Sequence, residues 1–187
     1  MENTMKSKII LLSIISTLAI LLRTIFKIAP NIELVTSLAL LSGFLLPKNR
    51  IAFIFPLLVM LISDLMLGNS QIYLFTWSGF LLPVLLGQKL LTKIDFSNSK
   101  ILNKILIGAT GSVVSVIFFY LWTNLGVVLT SGMYEISLNG LILSYINALP
   151  FLKLQLAGNL IIAPMVFLSS ELLLNRKVSA QVNQYSR

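Results

Sequence analysis

Long apolar runs, broken at intervals by short polar ones, dominate this chain. Six of them stand out, at 9–26, 34–46, 51–67, 73–91, 105–129 and 152–174. Crossing a hydrocarbon core of about 30 Å takes about 17–25 helical residues, and most of these runs have that length. The second is too short to span alone unless the chain before it is also embedded. A further stretch, 137–150, is apolar over about half a span and reads as a re-entrant or interfacial helix. The pattern predicts an all-α integral membrane bundle of about six transmembrane helices, forming a single transmembrane domain over 1–187.

Composition removes the alternatives. The chain is 57% apolar and 11% charged, where soluble domains average about 45–50% and about 25%. That leaves too little polar surface to coat a soluble particle. There is no Cys and no His, which excludes disulfides, thiolate nucleophiles, His-based acid–base chemistry and the usual zinc sites. No metal and no cofactor is expected.

The net charge of +8 acquires meaning only from where the cations lie. With the N-terminus inside, the cytoplasmic stretches hold Lys6, Lys8, Lys48, Arg50, Lys89, Lys93, Lys100, Lys104, Arg176, Lys177 and Arg187. The outer half holds Arg23, Lys27 and Lys153. Eleven against three, out of 14 Lys and Arg, places both termini in the cytoplasm by the positive-inside rule. The chain is expected to be a multi-pass protein of the plasma membrane. No small-residue cleavage site follows the first apolar run, which ends in Arg23 and Lys27, so it reads as a span and not as a signal peptide. The cations are scattered without an aromatic–basic motif, so no nucleic acid is expected as a partner.

Within the spans, Gly108, Gly111, Ser112 and Ser115 recur at three- and four-residue steps, placing small side chains on one helix face. They are expected to serve helix packing. Pro56, Pro83 and Pro164 fall inside spans and are expected to kink them, opening room for a cavity. Polar residues gather in the outer half: Arg23, Asn31, Glu33, Asp64, Trp77, Tyr120, Asn124, Tyr145, Asn147, Gln155 and Asn159. Polar groups at lipid depth are costly and tend to face a cavity or one another. An apolar and aromatic pocket carrying a few amides and charges is the usual recipe for binding a small solute. Taken singly, several have plainer readings: Asp64 as a helix-end group, Arg23 as a side chain snorkelling to the headgroups. Catalytic residues are not found. The chain holds no Walker motif, no paired intramembrane carboxylates, no metal-ligand cluster and no Gly-x-Ser-x-Gly turn. No inverted repeat is visible either, which argues against a self-contained secondary transporter.

Ser63-Asp64-Leu65 with Gly68, Thr123-Asn124-Leu125-Gly126-Val127, Pro150-Phe151, and Leu156-Ala157-Gly158-Asn159-Leu160 carry a resemblance. With six spans, inward termini and an outer polar cluster, the chain resembles an uncharacterised prokaryotic membrane family. That family is related to the substrate-binding S components of energy-coupling-factor vitamin transporters. The resemblance implies a non-enzymatic subunit that captures a vitamin-like or precursor solute from outside. It would hand that solute on within a complex of a transmembrane scaffold subunit and two ATPase subunits. Two departures stand out. Asn159 occupies a position where the family leads one to expect an acidic residue, and the first span lacks the Ala-x-x-x-Ala pairs many S components use to dock. The alternative from the residues themselves is a non-transport scaffold subunit of a cell-envelope complex, with the small-residue stripes and cytoplasmic lysines as partner surfaces.

Overall fold

A computed structural model describes residues 2–26, 34–68, 71–89 and 101–185. All regular structure among them is helical: α1 (Glu2–Thr24), α2 (Val35–Leu45), a 3-10 turn (Arg50–Phe53) running into α3 (Ile54–Leu67), α4 (Tyr73–Gly79), α5 (Leu81–Lys89), α6 (Ile101–Thr130) and α7 (Leu138–Tyr185). Four stretches are long and apolar enough to cross a bilayer: Met5–Thr24, Arg50–Leu67, Gly108–Thr130 and Leu138–Leu174.

Large apolar side chains face outward as well as inward, unlike in a water-soluble fold. Ile10, Ile14 and Leu18 on α1, Leu58, Leu61 and Leu65 on α3, and Ile117 and Leu121 on α6 face outward. Ser16, Ser63, Asp64, Ser112, Ser115, Gln155 and Asn159 are buried. Only a solvent as apolar as the side chains it touches makes that arrangement favourable, and lipid is such a solvent.

α2 forms the axis of the bundle. Its sequence is apolar or small on every face, as expected of a helix surrounded by protein, and Val35, Leu38, Ala39, Leu40 and Leu41 are fully covered. It packs on α1, α3, α5, α6 and α7. At about 1.5 Å per residue its 11 residues reach only about half the hydrocarbon thickness. Two glycines set its closest approach: a Cβ on Gly43 would collide with the Val84 carbonyl of α5, and one on Gly87 with the Leu40 carbonyl of α2. The two backbones therefore touch directly. Below this crossing the chain turns through Pro47 and Lys48, whose φ is +63°. Gln88 of α5 clamps the turn, its Nε2 donating to the Asn49 carbonyl at 3.0 Å.

The three prolines expected to kink their spans differ in outcome: Pro83 interrupts its span, Pro56 falls at a helix start, and the helix that holds Pro164 continues through it. Pro56 and Pro83 sit at the third residue of α3 and of α5, in first turns where the missing N–H breaks no intrahelical bond. Each instead marks a helix start. Pro56 cannot bond the Ala52 carbonyl four residues back, and the Ser42 hydroxyl donates to that carbonyl at 2.9 Å. The Pro83 ring would meet the Gly79 carbonyl, and the fourth predicted span is broken there into α4 and α5 with Phe80 between them. Pro150 and Pro164 lie inside α7, which continues through both. The segment 137–150 is thus neither re-entrant nor a separate interfacial helix. Leu138 onward is the first part of one continuous helix that includes the sixth predicted span, folded antiparallel on α6.

The small residues of α6 lie at helix contacts. A Cβ on Gly108 would stand 2.8 Å from the Phe167 ring of α7, and one on Gly111 3.0 Å from Leu40 of α2. Ser112 and Ser115 are fully buried. Their hydroxyls bond back to Ala109 and Gly111 of their own helix, at 2.8 and 2.7 Å, so they pack as small, self-satisfied groups.

Candidate binding pocket

The helices that meet tightly around α2 separate toward the end of the bundle where α1, α3 and α6 finish and α7 begins. They enclose a cavity of about 440 Å³, within the usual range of about 300–1,000 Å³ for ligand pockets. α1 contributes Arg23, α3 Met60 and α4 Thr76. Phe80 comes from the α4–α5 break. α6 adds Phe119, Tyr120, Thr123, Asn124 and Val127, and α7 adds Ser144, Asn147, Phe151, Leu152 and Gln155. Met133 and Tyr134 approach from the α6–α7 connection.

An ion pair anchors the α1 side. Arg23 NH2 lies 3.2 Å from Asp64 Oδ1, and its Nε donates to Ser63 Oγ at 2.9 Å. Trp77 Nε1 donates to the second oxygen, Asp64 Oδ2, at 2.8 Å. Asp64 is 8% exposed, and both its oxygens are used. A carboxylate so placed is satisfied in charge and in hydrogen bonding, the condition under which a buried charge is tolerable. The pair ties the end of α1 to α3 and α4. It shows Asp64 as more than a helix-end group and Arg23 as turned into the protein.

The opposite wall is aromatic. Phe80 and Phe119 have ring centroids 4.7 Å apart, and Tyr120 lies 5.6 Å from Tyr145. Tyr120 donates its hydroxyl to the Tyr145 carbonyl at 2.5 Å, and Tyr145 returns a bond to the Leu121 carbonyl at 3.1 Å. Glycines let these rings in. A Cβ on Gly79 would stand 2.8 Å from Phe119, and one on Gly126 would collide with Phe75. Behind them Trp122 Nε1 donates to Ser78 Oγ at 2.9 Å, fastening α6 to α4.

The amides divide into braced and open ones. Asn124 Nδ2 caps the Tyr120 carbonyl at 2.8 Å, and the Ser144 hydroxyl donates to its Oδ1 at 3.4 Å. Asn147 Nδ2 donates to the Tyr134 hydroxyl at 3.1 Å. Asn159, fully buried, lies one turn beyond the cavity lining. Its Nδ2 donates to the Gln155 carbonyl at 3.0 Å, and its Oδ1 accepts from Ser37 Oγ of α2 at 3.3 Å. It bolts α7 to α2 beneath the pocket. A carboxylate there would meet the Gln155 carbonyl with no donor to offer it.

Residues 3–182 match a family of unknown function, DUF6580. The chain belongs to that family. Comparison with curated proteins and with solved structures gives no match.

For this DUF6580 member, Arg23, Tyr120, Asn124, Asn147 and Gln155 line the cavity. Asp64 and Trp77 stand directly behind Arg23, Tyr145 stands behind Tyr120, and Asn159 lies under the floor. Asn31 and Glu33 lie outside the described residues. Sequence reading missed the apolar walls Met60, Phe80, Phe119 and Phe151, together with Thr76 and Ser144. A lining phenylalanine and a lipid-facing one look alike in a span that is apolar all round. Gly79 and Gly126 were the available signal, since a glycine in a membrane helix marks where another group comes close. Among the described residues no group of three or more Asp or Glu side chains is gathered for a metal ion.

Proposed function

We propose that this protein captures a small solute from the external side of the plasma membrane as the substrate-binding subunit of an energy-coupling-factor-type transporter. The observation that supports the reading is the cavity of about 440 Å³. It lies at the end of the bundle that the cation distribution assigns to the outside, and aromatic rings, amides and hydroxyls converge on it. Toward the opposite end, α2 and α5 meet backbone to backbone at Gly43 and Gly87. A chamber that narrows to such a contact binds and holds. Passage then requires the whole subunit to move within a complex, which is what a scaffold subunit and two ATPase subunits would supply.

The test is co-expression with a scaffold and ATPase set from the same genome, followed by affinity purification and by uptake in membrane vesicles. Recovery of a stoichiometric complex and ATP-dependent accumulation of one solute class support the proposal. Purification in a stable complex with cell-envelope machinery, with no solute raising the melting temperature, replaces it with the scaffold reading.

A further inference from the structure

The polar groups around the cavity are mostly spent on the protein itself. The hydroxyls of Thr76 and Thr123 donate to carbonyls of their own helices, and that of Tyr120 donates to Tyr145. Asn124 is engaged at both ends of its amide. Gln155 departs furthest from this, since Asn147 and Tyr134 at least bond to each other. Its residue is 5% exposed and lines the cavity, yet its carboxamide has no hydrogen-bond partner among the described residues. The neighbouring bond uses only its backbone carbonyl. The amide group therefore opens onto the cavity, and a carboxamide offers donor and acceptor side by side in one plane.

The charge of the cavity narrows what fits. Among the described lining residues the single ionised side chain is Arg23, and its charge is met by Asp64. Among the described residues no carboxylate lines the chamber. A ligand with a net charge would lose its hydration without gaining a counter-charge. The rings of Phe80, Phe119 and Tyr120 offer surfaces to a flat ligand.

We infer that Gln155 is the specificity-determining residue of this pocket, pairing edge to edge with an uncharged planar ligand that carries an adjacent N–H donor and C=O acceptor: a lactam, a pyrimidinone or a primary carboxamide. The inference rests on the capture reading and names its substrate class. A carboxamide edge meets such a group with two parallel hydrogen bonds. It meets a carboxylate with one bond and one repulsion between acceptors.

The experiment uses the purified full-length protein in detergent, with melting temperature and calorimetric affinity measured for matched probes. Uracil is set against orotate, nicotinamide against nicotinate, and pterin against pterin-6-carboxylate. At least one uncharged member is expected to bind, and at least tenfold more tightly than its carboxylate. Gln155→Leu should weaken that binding on the order of ten- to a hundredfold while leaving the melting temperature of the ligand-free protein no lower. Gln155→Glu, close in shape, should weaken it similarly. The retained ligand-free stability separates lost recognition from lost folding. Preferred binding of the carboxylates, or unchanged affinity in Gln155→Leu, overturns this inference and leaves the capture reading standing. Absence of binding by any probe or by a wide panel of charged solutes overturns both.

Discussion

The two ends of the bundle are built from the same apolar alphabet and come out opposite. Around α2 and α5 the contact residues are Gly43 and Gly87, and two backbones meet with nothing between them. Around α4, α6 and the start of α7 the contact residues are Phe80, Phe119, Tyr120 and Tyr145, and the helices stand apart around a cavity of about 440 Å³. Helix association in lipid gains little from burying apolar surface, because the lipid is as apolar as the side chains. Side-chain size at the crossing then decides the spacing. Small residues close one end, and large flat ones hold the other open.

The largest expected effect comes from breaking the closed end. In Gly43→Val the Cβ has no room beside the Val84 carbonyl, and the obstacle is backbone, which no rotamer change relieves. A cost above about 4 kcal/mol is expected, at the exceptional end for single substitutions. The variant should fail to yield a monodisperse detergent-solubilised protein. At the open end, Gly79→Ala meets a ring edge at 2.8 Å, which can tilt, so about 1–3 kcal/mol is expected. Equal melting temperatures for the two variants would show that the ends do not differ in tightness.

The next effect tests what keeps the open end from collapsing. Asp64→Asn takes the Asp64 charge away from Arg23, whose side chain is 22% exposed. A loss of about 3 kcal/mol is expected, the low end for splitting a buried pair, read as a drop in melting temperature. Replacing both members, as Arg23→Met with Asp64→Leu, should recover much of that loss, since an apolar pair of similar volume restores packing and removes the desolvation cost. A double variant no better than the single would mean that the pair holds α1 on α3 by geometry and not by charge compensation. Trp77→Phe, which keeps the ring and removes only the bond to Asp64 Oδ2, should cost about 1–2 kcal/mol.

The closed end was the more legible one in the sequence. Apolar run lengths located α1, α2, α3 and α6, and the three- and four-residue spacing of Gly108, Gly111, Ser112 and Ser115 put them at helix contacts. Small residues announce themselves there because they have no other use at lipid depth. The open end was read through its polar residues alone. Asp64, Asn124 and Gln155 were conspicuous, whereas Phe119, which lines the cavity, continues the helical spacing of Gly108, Gly111, Ser112 and Ser115, and that face reads as helix packing and not as a pocket wall. Proline was a mixed guide. Pro83 was read as a kink inside a span, and that span is interrupted at Phe80. The stretch 137–150 was read as re-entrant or interfacial, and α7 continues through Pro150, because in a bundle the helix gains more from its contacts with α6 than it loses with one N–H.

The smallest effect sharpens the comparison between the two ends, at the start of α2 beneath the pocket. Thr36, in the first turn of α2, is 1% exposed, and its hydroxyl has no hydrogen-bond partner among the described residues. Its neighbour Ser37 is engaged with Asn159, so the two adjacent hydroxyls are natural controls for each other. Thr36→Val exchanges a hydroxyl for a methyl in nearly the same shape and removes a buried polar group that gains nothing from the protein. It should stabilise by about 0.5–1 kcal/mol. Ser37→Ala should destabilise by about 1 kcal/mol, because it leaves the Asn159 Oδ1 acceptor without its donor. Melting curves of the two single variants and the double decide the matter. If Thr36→Val lowers the melting temperature, its hydroxyl has a bonding role in the folded protein, and packing around α2 owes part of its tightness to polar contacts as well as to Gly43 and Gly87.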